Sequence, residues 1–209
     1  MDLLLKYFPD LDKNQLWAFH QLRSIYETHN ENVNLISRKD IQHIYLHHVL
    51  HSLTLTKFIN WNDKCRILDL GTGGGFPAIP LAIYYPNVSF TAIDGTGKKI
   101  KVVNEIAEAL QLKNIDAKQL RAEDCKEKFH FVVSRGVTTL NQLCILSKPL
   151  IQKDSITALP NGIIAYKGGN LKDEIKEITS KAYYEIWNIY DIFPEDYFVE
   201  KHLVYLQLH

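Results

Sequence analysis

The segment Asp69-Leu70-Gly71-Thr72-Gly73-Gly74-Gly75-Phe76-Pro77 follows a β-rich run and precedes a helix-forming one. Glycines at 71, 73 and 75 permit a tight turn and a close backbone approach to a ligand, and the helix start behind them offers free N–H groups. A dinucleotide-binding GxGxxG would need glycine at 76, where this chain has Phe76. GxGxG behind an acidic strand end is instead the pattern for S-adenosylmethionine. Asp94 closes the next β-rich run, 23 residues after Gly71. A carboxylate there is placed to accept hydrogen bonds from both hydroxyls of an adenosine ribose, the alternative being a solvated strand end.

Three further strand ends carry polar groups. Arg121-Ala122-Glu123-Asp124 falls where an adenine lies in a doubly wound fold, although taken alone it reads equally well as a surface loop. In Ser134-Arg135-Gly136, the arginine can hold a carboxylate or phosphate bidentately. In Tyr166-Lys167-Gly168-Gly169, the ammonium can meet a phosphate or carbonyl oxygen, and the paired glycines leave room for something bulky. Either could simply be an edge cation. His43, His47 and His51 have metal-ligand spacing on a helix, but no cysteine or carboxylate completes a set, so the expectation is structural histidines and no metal. Lys98, Lys99 and Lys101 oppose a helix dipole and read as a solvated face or a local anion site.

These strand ends imply the elements that position them. β-rich runs at 65–70, 88–94, 115–120, 129–134 and 162–167 alternate with helical stretches at 76–85, 97–111, 139–150 and 170–180. That rhythm predicts right-handed βαβ crossovers and a mostly parallel α/β sheet with helices on both faces. Two strand-like runs at 183–193 and 198–208 have no helix between them and predict an antiparallel C-terminal hairpin. Upstream, residues 10–29 predict a helix capped by Asp10 or Asp12, with Leu16, Phe19, Leu22, Ile25 and Tyr26 on one face, and a second helix starts near Asp40. The expected division is a helical extension over 1–64 and a catalytic domain over 65–209.

Composition excludes several classes. The 209 residues are 46% hydrophobic and 23% charged, which fits a globular chain and not a disordered or coiled-coil one. Lys+Arg and Asp+Glu both number 24, so bulk charge does not by itself point to nucleic acid. Cys65, Cys125 and Cys144 are scattered without a CxxC, as in a reducing compartment. The uncharged stretch 70–93 holds too many Gly and Pro for a bilayer helix, and the apolar run at the start is too short for a signal peptide. A cytoplasmic monomer is expected.

ILDLGTGGGFPAIPLA (67–82), FTAIDGTGKKIKVV (90–103), SRGVTTLN (134–141) and YKGG (166–169) resemble the ribosomal RNA small subunit methyltransferase G family, also called glucose-inhibited division protein B. VNLIS (33–37), HHVLHSL (47–53) and EKHLVYL (200–206) fit it in order, so the resemblance covers nearly the whole chain. It implies a class I, Rossmann-like methyltransferase that moves a methyl group from S-adenosyl-L-methionine to N7 of one guanine in the 16S rRNA of the small ribosomal subunit. It also implies cofactor contacts at Gly71, Phe76, Ala122, Glu123 and Arg135. The family usually has Asp where this chain has His51, and alanine where it has Gly136.

Guanine N7 is a bare acceptor lone pair, so methylating it needs no general base. Arg135 and Lys167 are therefore expected to act by positioning, Arg135 toward the cofactor and Lys167 toward the RNA. Two rival readings are a class I methyltransferase acting on a small molecule or protein, and a non-catalytic nucleotide-binding regulatory module. Methyl transfer to small-subunit RNA separates the first reading from both.

Overall fold

The computed structural model describes residues 1–208. A seven-stranded sheet runs in the order β3-β2-β1-β4-β5-β7-β6. Its parallel strands are β1 (Arg66–Leu70), β2 (Ser89–Asp94), β3 (Ile115–Gln119), β4 (Phe131–Arg135) and β5 (Gly162–Gly168). The expected antiparallel hairpin forms from β6 (Ala182–Asn188) and β7 (Lys201–Leu208), with β7 inserted against β5 and β6 at the edge. The run 183–193 stays extended only to Asn188, whose side chain accepts from the Tyr190 N–H at 3.2 Å and turns the chain.

Side-chain alternation along the strands builds two cores. Ile67, Phe90, Ala92, Phe131, Val133, Ile164 and Tyr166 face one way, against α4 (Ala78–Tyr84), α5 (Gly97–Ala109) and the N-terminal helices. Leu68, Leu70, Ile93, Val132, Ile163 and Ala165 face the other way, toward Leu140, Leu143 and Cys144 of α6 (Leu140–Ser147) and Leu171, which precedes α7 (Lys172–Lys176). Helices on both faces of a largely parallel sheet are what the alternating rhythm requires.

The predicted first helix is α2 (Lys13–Asn30). Asp12 is its cap, accepting from Asn14 and Gln15, while Gln15 answers the Asp12 N–H at 2.9 Å. A short α1 (Asp2–Tyr7) precedes it. Phe19, Leu22 and Tyr26 belong to the same hydrophobic cluster as the sheet residues, so this region covers one sheet face.

The second predicted helix is present but not regular. It is a 3₁₀ turn (Ile41–His43), a π-helical stretch (Ile44–Leu50), one α turn labelled α3 (His51–Leu53) and a final 3₁₀ turn (Thr54–Lys57). Side-chain hydroxyls compete for its carbonyls: Ser52 takes His48 O, Thr54 takes His51 O and Thr56 takes Leu53 O. The carbonyl of His47 is drawn away instead, toward Arg135 and Tyr197. A wide turn of this kind is often found at functional sites.

Candidate active site

The strand order reverses between β1 and β4, and ligands of open α/β sheets bind at that switch point, outside the carboxyl ends of the strands. A cleft of about 350 Å³ lies there, lined by the glycine turn, Asp94, Lys99, the Arg135–Val137 segment, Leu35 and His48.

Gly71, Gly73 and Gly75 all have left-handed backbones, with φ of +75°, +56° and +92°. They do different work. A Cβ on Gly71 would stand 2.4 Å from Val137 Cγ2, and one on Gly75 would stand 2.8 Å from Ile79 Cγ1, so both positions are filled by packing. At Gly73 the nearest atom would be Gly71 O at 4.0 Å, so the space over this residue is open. Gly75 is absent from the cleft lining, whereas Gly74 is in it, pressed under Leu35 and fixed by Tyr26 Oη, which donates to its carbonyl at 2.7 Å.

Asp94 is half-buried at the rim. Its Oδ2 accepts from Gly73 N at 3.0 Å and its Oδ1 from Thr96 N at 2.8 Å. Behind the turn, buried Asp69 accepts from Thr72 Oγ1 at 2.6 Å and from Ala78 N at 3.0 Å, through one oxygen. Its other oxygen has no partner. Burial pushes the Asp69 carboxyl up to about 7, against the two hydrogen bonds it accepts.

Arg135 meets the cleft from β4. Nη1 donates to His47 O at 3.0 Å, Nη2 lies 2.7 Å from His48 Nδ1, and Cζ sits 5.4 Å from the Phe76 ring centre. Phe76 is buried and leans on Tyr26, with centroids 4.9 Å apart.

The other candidates lie outside the cleft lining. Ala122 is buried in the second core and Glu123 is exposed in the 3₁₀ turn after β3. Lys167 Nζ donates to Thr138 O at 2.7 Å and pairs with Glu174 Oε1 at 2.5 Å. The three spaced histidines do not converge on an ion. His43 stacks on His47, His47 stacks on Tyr197, and His51 is buried against Tyr166, Tyr197 and Phe198. Among the described residues no group of His, Cys, Asp or Glu could hold a metal. Sequence reasoning missed His48, Leu35 and Val137 as cleft residues; the HHVLH run was the only trace of the first.

The family model of rRNA small subunit methyltransferase G matches residues 15–190. The chain belongs to that family. Proteins named ribosomal RNA small subunit methyltransferase G in Phocaeicola vulgatus and Porphyromonas gingivalis are similar to it at 46% and 47% identity. These matches cover 100% and 99% of this chain, and 99% and 93% of the relatives. The family uses S-adenosylmethionine.

The fold is shared with solved methyltransferase-like structures. The fibrillarin/Nop5p complex is similar at TM-score 0.53 and 14% identity, over 74% of this chain and 78% of that one. M. jannaschii TYW2 in complex with AdoMet is similar at 0.52 and 16%, over 84% and 77%. No helix among the described residues is long and apolar enough to cross a membrane.

The cleft suits S-adenosylmethionine on its own features. The backbone over Gly73 is open where a side chain would intrude, the rim carboxylate of Asp94 is available for hydroxyl donors, and Arg135 presents a half-buried cation for an anionic group.

Proposed function

We propose that this protein transfers a methyl group from S-adenosylmethionine to N7 of a guanine in 16S rRNA, as free rRNA or in the small ribosomal subunit, and does so in the cytoplasm as a monomer. The observation that carries this reading is a cleft built for positioning and lacking a free base. Each oxygen of Asp94 accepts one backbone N–H and keeps a lone pair for a ribose hydroxyl, and both ring nitrogens of His48 are engaged, so neither group is set aside to take a proton. Methylating a bare lone pair needs neither. When bound, the cofactor supplies an already activated electrophilic methyl group.

The chain's residues would do the rest. Gly71, Gly73 and Gly74 give the cofactor a close backbone surface, Asp94 orients hydroxyl groups at the rim, and Arg135 orients an anionic group. Holding nucleophile, methyl carbon and leaving sulfur in line can supply up to ~7–11 kcal/mol of the barrier. Ala122 and Glu123 are proposed to reach the cofactor from the turn after β3, and Lys167 to reach the RNA, after exchanging its Glu174 partner for an RNA oxygen. The division at 64/65, into a helical extension and a methyltransferase domain, is proposed on the change from helices to β1.

Labelled methyl transfer from S-adenosylmethionine to small-subunit RNA, with N7-methylguanine mapped in rRNA from cells with and without the gene, tests this function. Cofactor binding without transfer to any RNA would favour a regulatory module. Transfer only to protein or small molecules would move the substrate class.

A further inference from the structure

Two imidazole rings converge on one carboxylate beside the cleft. Asp40 Oδ1 lies 2.5 Å from His47 Nδ1, and Asp40 Oδ2 lies 2.5 Å from His48 Nε2. The remaining ring nitrogen of His48 faces Arg135 Nη2 at 2.7 Å. A guanidinium carries donors only, so His48 Nδ1 is the bare acceptor and the ring proton sits on Nε2, pointing at Asp40. The chain Asp40–His48–Arg135 thus runs in one direction: guanidinium donates to imidazole, and imidazole donates to carboxylate.

Two facts make this more than local packing. Among the described residues Arg135 forms no direct ion pair: the Asp40 carboxylate reaches it by hydrogen bonds only through His48, while buried Asp69 acts on its charge through space. Only two of the five guanidinium N–H groups are engaged there, leaving the others for a ligand. Phe76 closes one side, with its ring 5.0 Å from that of His48 and 5.4 Å from Arg135 Cζ. Burial holds His48 at a pKa of about 4, and the Arg135 charge pushes the same way, so the ring is neutral near pH 7.

We propose that Asp40 and His48 are positioning residues, which hold the Arg135 guanidinium at the cleft in one orientation without neutralising it. This rests on the cofactor reading of the cleft. A direct carboxylate partner would spend the charge and occupy a bidentate edge; a neutral imidazole fixes the plane and leaves the cation available. The π-helical winding is what lets the segment serve Arg135 twice, through His47 O and His48 Nδ1.

The test combines one spectroscopic reading with the kinetics of three variants of the full chain. In the free protein, ¹⁵N-edited NMR should show His48 as the neutral Nε2–H tautomer. His48→Ala should lower kcat/KM on the order of 100-fold, the scale expected when a reacting group is misplaced by about 1 Å. His48→Gln, whose amide can accept from Arg135 and donate to Asp40, should recover most of that loss, and Asp40→Asn should fall between. A merely structural histidine would give no such rescue at equal melting temperature. A His48 ring that is Nδ1–H or doubly protonated at pH 7, or a folded His48→Ala enzyme with wild-type kcat/KM, would overturn the proposal. Wild-type protein with the Nε2–H tautomer but no affinity for S-adenosylmethionine would instead strike the cofactor reading.

Discussion

The Gly73 N–H donates to Asp94 Oδ2 at 3.0 Å, tying the tip of the turn after β1 to the end of β2. The same carboxylate holds Thr96 N, one residue before α5 begins. One side chain therefore sets the distance between the glycine turn and the helix beside it, and any ligand that donates hydrogen bonds to Asp94 competes with, or adds to, this tie. The glycines around it divide between packing and ligand space, which gives the first prediction.

Gly73→Val should abolish the rise in melting temperature that S-adenosylmethionine gives to the wild-type protein, because the side chain would fill open space over the turn. A β-branched residue at φ +56° also strains the backbone, by roughly 1–2 kcal/mol. Gly71→Ala should act differently, lowering the melting temperature of the ligand-free protein, since its Cβ would sit 2.4 Å from Val137 Cγ2. Differential scanning fluorimetry with and without cofactor, and with NAD as the control that should have no effect, separates the two. Stabilisation by NAD alone would reverse the ligand assignment.

Arg135→Ala should reduce methyl transfer far more than it reduces folding stability, and Arg135→Lys should restore little. The guanidinium reaches a carbonyl and an imidazole at once while lying against Phe76, and a single ammonium cannot reproduce that fork. Measured turnover and urea midpoints for both variants decide it. A fully active lysine variant would reduce the residue to a generic cation.

Stability should fall as pH drops from 6.5 toward 4. The folded protein keeps His48 neutral down to about 4 and His51, fully enclosed, below its ordinary value, both chiefly through burial, whereas the unfolded chain protonates both near 6.5. The unfolded state then binds more protons over this window, so His48 alone withdraws about 3 kcal/mol between pH 6.5 and 4. Asp69 works against this: raised to about 7 by burial, it contributes stability at low pH that is lost as pH rises through 7. Urea midpoints across pH 4.5–7.5 should accordingly show a flatter profile for His48→Gln than for wild type and a steeper rise with pH for Asp69→Asn. Identical slopes in all three proteins would remove the linkage.

How far the cleft could be read from the chain depends on sequence distance. Gly71, Gly73 and Asp94 sit at ends of consecutive strands, where a glycine or a carboxylate has few other reasons to be, and position after a strand already implies the switch point. Arg135 was legible for the same reason. Asp40 and His48 were not, because their partner lies 87 positions beyond His48 and the segment carrying them winds as a π-helix, which a 3.6-residue periodicity cannot register. The even spacing of His43, His47 and His51 drew attention to the wrong member of the run: the ring that meets the cleft is His48, one place out of that register. His51 is enclosed by Tyr166, Tyr197 and Phe198 with Nε2 unpartnered, a site in which a neutral ring is easier to hold than a charged group.

Lys167 and Glu174 supply the last prediction. The ammonium ties the end of β5 to Thr138 O and Glu174, and Glu174 Oε1 also accepts from Leu140 N at 2.7 Å, at the start of α6. If Lys167 meets the RNA, it must exchange Glu174 for a phosphate or the guanine O6, and the two residues should then affect RNA binding in opposite directions. Lys167→Ala should leave S-adenosylmethionine affinity nearly unchanged while weakening RNA binding, with a salt slope lower by about one if the contact is to phosphate. Glu174→Gln keeps an acceptor for Leu140 N while releasing the ammonium, so it should tighten RNA binding and steepen the same slope. Lost activity with an unchanged slope in Lys167→Ala would point to O6 in place of phosphate. If both variants lowered the melting temperature and neither altered RNA affinity or rate, the pair would be an anchor for residues 136–139 and α6, and the substrate role of Lys167 would fall.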